Sequence, residues 1–217
     1  MDMNNLDRYG TSGRRLPVKT VVCLSLIVGV MGAGVMSFTS TGGPGPGKGV
    51  ASPADSVASV QAFMGVYKVL MAPRCMNCHP AGDVPLQGDD SHLHTMNVQR
   101  GVDGHGVYAL KCSNCHQAQN TPGLHMPPGN PKWGLPPADM KMVFQGKTPR
   151  QLAKQLLDPK QNGGKTRQQL IDHATSDGIV LGGWNPGEGR TLPPMSHAAF
   201  AMLFKTWIDK GAYLPAK

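Results

Sequence analysis

Little in this 217-residue chain is suited to β-structure. No stretch alternates apolar and polar residues over the length of a half-buried strand, so helices and loops are left as the material of the fold. Large rings are scarce as well: three Trp, four Tyr and five Phe stand against 28 Gly and 19 Pro. Side chains alone therefore supply a thin core, and the many glycines and prolines interrupt regular structure often. A disulfide framework is also missing. Of the five cysteines, four fall in two short clusters and the fifth, Cys23, lies inside an apolar run.

The two clusters repeat one pattern, Cys75-Met76-Asn77-Cys78-His79 and Cys112-Ser113-Asn114-Cys115-His116. Each is C-x-x-C-H, the attachment signature of a c-type haem. Two thiols three positions apart can each add to one vinyl group of the same porphyrin. The histidine directly behind them is carried beneath the iron as its proximal ligand. The competing chemistry is a zinc site built from two C-x-x-C knuckles, which needs four ligands but no histidine behind each knuckle. The histidines favour two haem c groups, attached at Cys75, Cys78, Cys112 and Cys115 and ligated by His79 and His116.

Covalent haem attachment belongs to the exported side of a membrane, and the N-terminus agrees with that expectation. Arg8, Arg14, Arg15 and Lys19 precede an uncharged run from Thr20 to Phe38. Its nineteen residues exceed a usual signal core of about 7–15 and approach the roughly 20 needed to span a bilayer. The second half, around Gly29-Val30-Met31-Gly32-Ala33-Gly34, is only mildly apolar, and Val35 and Ser37 suit a cleavage site. A retained anchor and a cleaved signal both remain open, with length leaning towards the anchor. Arg14-Arg15 faintly resembles a twin-arginine signal, although attachment of haem to an unfolded exported chain suits the general secretory route. In either case the basic flank holds the N-terminus inside and delivers the rest to the periplasmic side.

Three segments follow: residues 1–38 as signal or anchor, 39–53 as a Gly/Pro-rich linker, and 54–217 as one dihaem domain. The domain reads as mainly α with extensive irregular loops, wrapped around two covalent haems whose apolar discs replace part of the side-chain core. Asp55 is placed as the cap of a first helix carrying Val57, Val60, Met64, Tyr67 and Met71. Thr148-Pro149-Arg150-Gln151 and Thr166-Arg167-Gln168-Gln169 read as capping boxes. Ser196 caps a last helix that ends at Gly211. Gly65-Val66-Tyr67 and Gly106-Val107-Tyr108, each ahead of a pentapeptide, hint at two related haem units.

Six histidines remain as sources of a second axial ligand: His92, His94, His105, His125, His173 and His197. His94, in a polar stretch between the two pentapeptides, is favoured for one haem, with His92 as its alternate. His125, followed by Met126 and a rigid Pro127-Pro128 turn, is favoured for the other, with Met126 as its alternate. Met195 sits in a Pro-Pro-Met loop like that of monohaem cytochromes c. His173 and His197, both on helices, read as structural or as partners of a haem propionate, and stand as further alternates. His105, among glycines, reads as a loop residue. Trp133 and Trp184 are either stacked on haem edges or ordinary core aromatics.

These motifs, the export segment and the helical loops together resemble the periplasmic dihaem and multihaem c-type cytochromes. Asn162-Gly163-Gly164, the Gly183-Trp184-Asn185-Pro186-Gly187 turn and the helix from His197 to Trp207 are similar to a narrower group. Its members are small haem proteins associated with isoquinoline 1-oxidoreductase-type molybdenum hydroxylases. The resemblance implies a cytochrome c-like or multihaem domain that accepts electrons from a dehydrogenase, or acts as a redox subunit of a membrane electron-transport complex. The chain has no molybdenum or flavin motif of its own, so such catalysis would sit in the partner.

The alternative function is a haem enzyme, of peroxidase or thiosulfate-oxidising type, with one open iron position. The six spare histidines and the short chain favour electron transfer over that alternative. Past residue 39 seventeen Lys and Arg face eleven Asp and Glu, a surplus that haem propionates would largely offset. Lys132, Lys141, Lys147, Arg150, Lys154, Lys160, Lys165 and Arg167 are candidates for a face that steers an acidic redox partner. Nucleic acid is excluded, because the compartment is wrong and no nucleic-acid module is present.

Overall fold

The computed structural model describes residues 52–216. The candidate export segment, Cys23 and the linker up to residue 51 lie outside the described residues. Among the described residues no helix is long and apolar enough to cross a membrane.

The fold is mainly helical, with long irregular loops. Helix α1 spans Pro53–Leu70, and Ser52, not Asp55, caps it: the Ser52 hydroxyl accepts from the Asp55 amide at 3.1 Å. The reason is local. Serine before a proline offers a capping oxygen and then a residue whose φ already suits the first helical position. Asp55 falls in the first turn, where its carboxylate meets the positive end of the helix dipole. Ser52 and Pro53 thus begin the folded domain rather than end the linker. A short helix, α2 (Pro73–Met76), follows and carries Cys75.

Helices α3 (Pro149–Leu157) and α4 (Arg167–Ser176) each open on a full capping box, at Thr148/Gln151 and Thr166/Gln169. Helix α5 (Gly178–Leu181) is a single turn capped by Asp177, and α6 (His197–Asp209) is capped by Ser196. The apolar faces of α1, α3, α4 and α6 make one core, with Phe63, Val66, Leu152, Ala153, Leu170, Ile171, Phe200, Phe204 and Trp207 buried in it. Phe63 and Trp207 meet at 4.5 Å between ring centres. Gly65 lets α6 approach α1, since a Cβ there would lie 2.6 Å from Leu203 Cδ1.

One buried hydroxyl ties α1 to the end of α6. Ser59 Oγ donates to the Trp207 carbonyl at 2.9 Å and accepts from the Tyr213 amide at 3.0 Å. Ser59→Ala leaves the Tyr213 amide without its partner, while the Trp207 carbonyl keeps the Ala212 amide at 2.8 Å. The expected cost is about 1–3 kcal/mol of unfolding free energy in urea titration, against a few tenths for the half-buried Ser56→Ala.

Between α2 and α3 regular structure is sparse. Strand β1 (Leu86–Gln87) pairs antiparallel with β2 (His92–Leu93), and β3 (Gly106–Val107) with β4 (Leu110–Lys111). Two residues per strand are too few for alternation to be visible in sequence. The loops are held instead by Arg100, which is 1% exposed and bonds Asp83, the Gly82 carbonyl and the Pro136 carbonyl. The repeated Gly-Val-Tyr tripeptide does not mark a repeated structure. Its first copy is inside α1, and its second forms β3 and a turn in which Tyr108 has φ +49°.

Candidate functional site

Both pentapeptides face one cavity of about 1290 Å³, above the ~300–1,000 Å³ of ordinary small-molecule sites. Helix α2 carries the first. The second follows the β3–β4 hairpin, where Gly106 is required: its φ is +89° and a Cβ would lie 2.3 Å from the Leu110 carbonyl oxygen. On one side the cavity wall is the helical core itself, through Leu70, Phe144, Leu156, Leu170, Phe200 and Phe204. On the other it is loop, through residues 125–137.

The histidines that close the two pentapeptides, His79 and His116, are held alike. His79 Nδ1 pairs with the Met142 carbonyl at 2.7 Å, and its ring stacks on Phe144 with centres 3.8 Å apart at 11°. His116 Nδ1 pairs with the Pro128 carbonyl at 2.7 Å, and its ring stacks on Trp133 at 4.2 Å and 8°. A bond to a carbonyl fixes the proton on Nδ1 and leaves Nε2 as a lone-pair donor. Burial pushes His79 down to about 4, outweighing the opposing bond to Met142, and the charges of His173 and Arg100 add to the depression. Burial also lowers His116, against its bond to Pro128. Neutral imidazole is the form that binds a metal.

Burial raises the Cys75 thiol to about 12 and the Cys78 thiol to about 11, and it raises Cys112 too. As thiolates they would be costly to keep in such surroundings. A thioether carries no charge and loses nothing there. Cys78 and Cys112 line the same cavity. Among the described residues no three His, Cys, Asp or Glu side chains converge as a bare metal site requires. A porphyrin brings four nitrogens of its own and asks the protein for only one ligand on each face.

Of the six other histidines, all but His197 line the cavity. His94 lies opposite His116, with ring centres 6.4 Å apart and planes at 62°. Two imidazoles on opposite sides of one metal, at metal–nitrogen lengths of about 2.0–2.1 Å, have ring centres roughly 6.3 Å apart. His94 Nδ1 is itself engaged by the Thr95 carbonyl at 2.6 Å, which again leaves Nε2 available. His173, on α4, lines the cavity beside Leu170 and Ala174, and its charge is felt at His79. Its Nδ1 is held by Asp177 at 2.9 Å.

His125 also lines the cavity but is built into another corner, its amide donating to Glu188 and its carbonyl accepting from Arg190. His92 is exposed and paired with Asp90 at 2.6 Å. Met126, Met195 and His197 lie off the cavity wall. Met195 packs on the helical core, and its carbonyl accepts from the Trp184 indole at 2.8 Å. His197 Nε2 is bonded to the Ala174 carbonyl at 3.1 Å.

Sequence reasoning passed over Met142, Pro128 and Phe144. The first two act through backbone carbonyls and carry no side-chain signature. Phe144 has one faint signal, as an isolated aromatic in a stretch without other apolar rings. The donor set, the cavity and the paired histidines all fit two covalently attached haems. Comparison with family models, with curated proteins and with solved structures gives no match for this chain.

Proposed function

We propose that this chain is a dihaem c-type cytochrome that transfers electrons on the periplasmic side of a bacterial cytoplasmic membrane, either anchored there or soluble after cleavage. The observation that carries the reading is the His94–His116 pair, set at the spacing of two axial ligands with both Nδ1 atoms already engaged. Cys112 and Cys115 would hold that haem covalently, and Cys75 and Cys78 the other, with His79 beneath it. His173, which lines the same cavity from α4, stands beside His125 as a candidate second ligand of the haem carried by His79.

A bound c-type haem supplies a one-electron couple at its iron. The chain's own residues do the rest. Carbonyls of Met142 and Pro128 orient the proximal rings, Phe144 and Trp133 clamp them, and the apolar wall limits solvent reorganisation. That both pentapeptides line one cavity supports exchange between the two centres. The partner is read as a dehydrogenase or a membrane electron-transport complex, in keeping with the likeness to haem proteins associated with molybdenum hydroxylases. Three of the basic residues proposed to steer it are engaged within the chain: Lys141 with Asp83, Arg150 with the Pro215 carbonyl and Lys165 with the Asn162 carbonyl.

One observation favours the enzyme alternative at the first haem. A second hollow of about 450 Å³ lies beside His173 and Asp177 and shares His173, Lys132 and Lys165 with the wall of the first cavity. The test is paramagnetic resonance of the oxidised protein combined with a haem count. Two haems per chain, both low-spin and unchanged by peroxide or carbon monoxide, are the expected result. A high-spin centre that turns over peroxide would establish the enzyme, and a chain that matures without haem would end both readings.

A further inference from the structure

One wall of the cavity is charged, and its charge is not balanced. The Arg74 side chain is 8% exposed. Its Nη2 bonds the Gly88 carbonyl at 2.9 Å and Asp89 Oδ1 at 2.6 Å, while its Nε is buried without a partner. Arg190 lines the same cavity, with Nη2 bonded to the His125 carbonyl at 2.7 Å and Nη1 to the Pro186 carbonyl at 3.3 Å. Burial and the nearby Arg74 cation both lower Arg190, while Asp89 pulls the other way. Asp89 is the carboxylate placed to serve both, and its second oxygen is already taken by the Thr191 amide at 3.0 Å and hydroxyl at 2.7 Å.

Two guanidiniums against one carboxylate leave a net positive charge facing an apolar hollow. An uncompensated buried cation is costly unless an anion meets it. A flat donor fork with a free N–H matches a carboxylate or a phosphate. Within this cavity the carboxylate is the group a haem would bring, since Arg74 directly precedes Cys75 in α2 and both arginines line the wall that the pentapeptides face. The corner is thus within reach of whatever occupies the haem sites.

We propose that Arg74 and Arg190 form a carboxylate-binding corner that takes a propionate of a haem held in this cavity. The proposal rests on the dihaem reading and adds a function for the corner. The arginines neutralise the propionate, and their residual positive field favours the reduced iron. They set a reduction potential as well as a binding pose.

The experiment uses the full, haem-loaded chain, with a haem count and a spectroelectrochemical titration of each variant. Arg74→Gln is expected to leave two haems per chain and to shift one ferric/ferrous equilibrium about tenfold towards ferric, a fall of about 59 mV for one electron. Arg74→Lys keeps the charge and is expected to restore the potential. Asp89→Asn removes the opposing carboxylate and is expected to raise it. Arg190→Gln leaves the Gly88 and Asp89 contacts intact, and lowers the same potential if Arg74→Gln does not fold.

Opposite signs for Arg74→Gln and Asp89→Asn are what damage to the fold cannot give. Two unmoved potentials in Arg74→Gln, or shifts of one sign in both variants, would overturn the corner while leaving the dihaem reading in place. A wild-type chain without haem would overturn that reading first, in the haem count alone.

Discussion

Replacing Cys112 and Cys115 together by alanine is expected to halve the haem content, from two per chain to one. The helical core should survive almost untouched. The second site is bounded mainly by loops, and the residues that fill the interior of α1, α3, α4 and α6 do not depend on it. The matching change at Cys75 and Cys78 is expected to remove the other haem and also to weaken the fold. Phe144, Leu156, Leu170, Phe200 and Phe204 belong to the core and form the wall of the first site. An empty hollow against them forfeits their contacts on one side, and deletions of that kind cost about 2–5 kcal/mol. Pyridine haemochrome absorbance per mole of chain, with urea unfolding, reads both quantities. Equal destabilisation in the two double variants would show that the core does not lean on the first haem.

Removing the His94 ring is the second large effect. His94→Ala is expected to turn one ferric haem from low-spin to high-spin and to let its ferrous form bind carbon monoxide, with the other haem unchanged. The neighbouring backbone makes a substitute ligand hard to recruit. Met96 and Asn97 both adopt left-handed conformations, at φ +68° and +50°, each costing roughly 1 kcal/mol or more in a residue that is not glycine. The Gln87 side chain accepts from the Thr95 amide at 3.0 Å and fastens the loop to β1. The loop is therefore shaped to present position 94 and little else. His94→Met should retain a low-spin iron and raise its potential, since methionine favours the reduced state. Visible and paramagnetic spectra decide the matter: two low-spin haems in His94→Ala would remove His94 from the site.

Much of the helical part could be read from local chemistry. Thr148, Thr166 and Ser196 announce their helices because a capping side chain and its amide are three residues apart, within one stretch of sequence. The start of α1 was misplaced by the same logic, since Ser52 and Asp55 are both good capping residues and only the proline between them decides. The pentapeptides are legible for a like reason: attachment chemistry demands its residues side by side. The far ligands are another matter. His94 lies in a polar stretch between the pentapeptides, and His116, whose ring centre is 6.4 Å from its own, is near it in the chain. His173 reaches the vicinity of His79 only through the packing of α4, which no spacing rule encodes. The carbonyls of Met142 and Pro128 could belong to any residue. What they need is a backbone path, and Met142 takes up φ +45° on its own.

The unequal spans of those two carbonyl bonds bear on the order in which the molecule closes. His116 and Pro128 are 12 residues apart, whereas His79 and Met142 are 63 apart. Joining the ends of a loop about five times longer costs about 1.5 kcal/mol more in chain entropy. Contacts of low sequence separation also form sooner. His94, His116, Pro128 and Trp133 all precede α3 in the chain, while His173 of the first site arrives only with α4. In a chain threaded outwards from its N-terminus, the pentapeptide that emerges second would be the first to be enclosed. The first would stay open until the last helices dock.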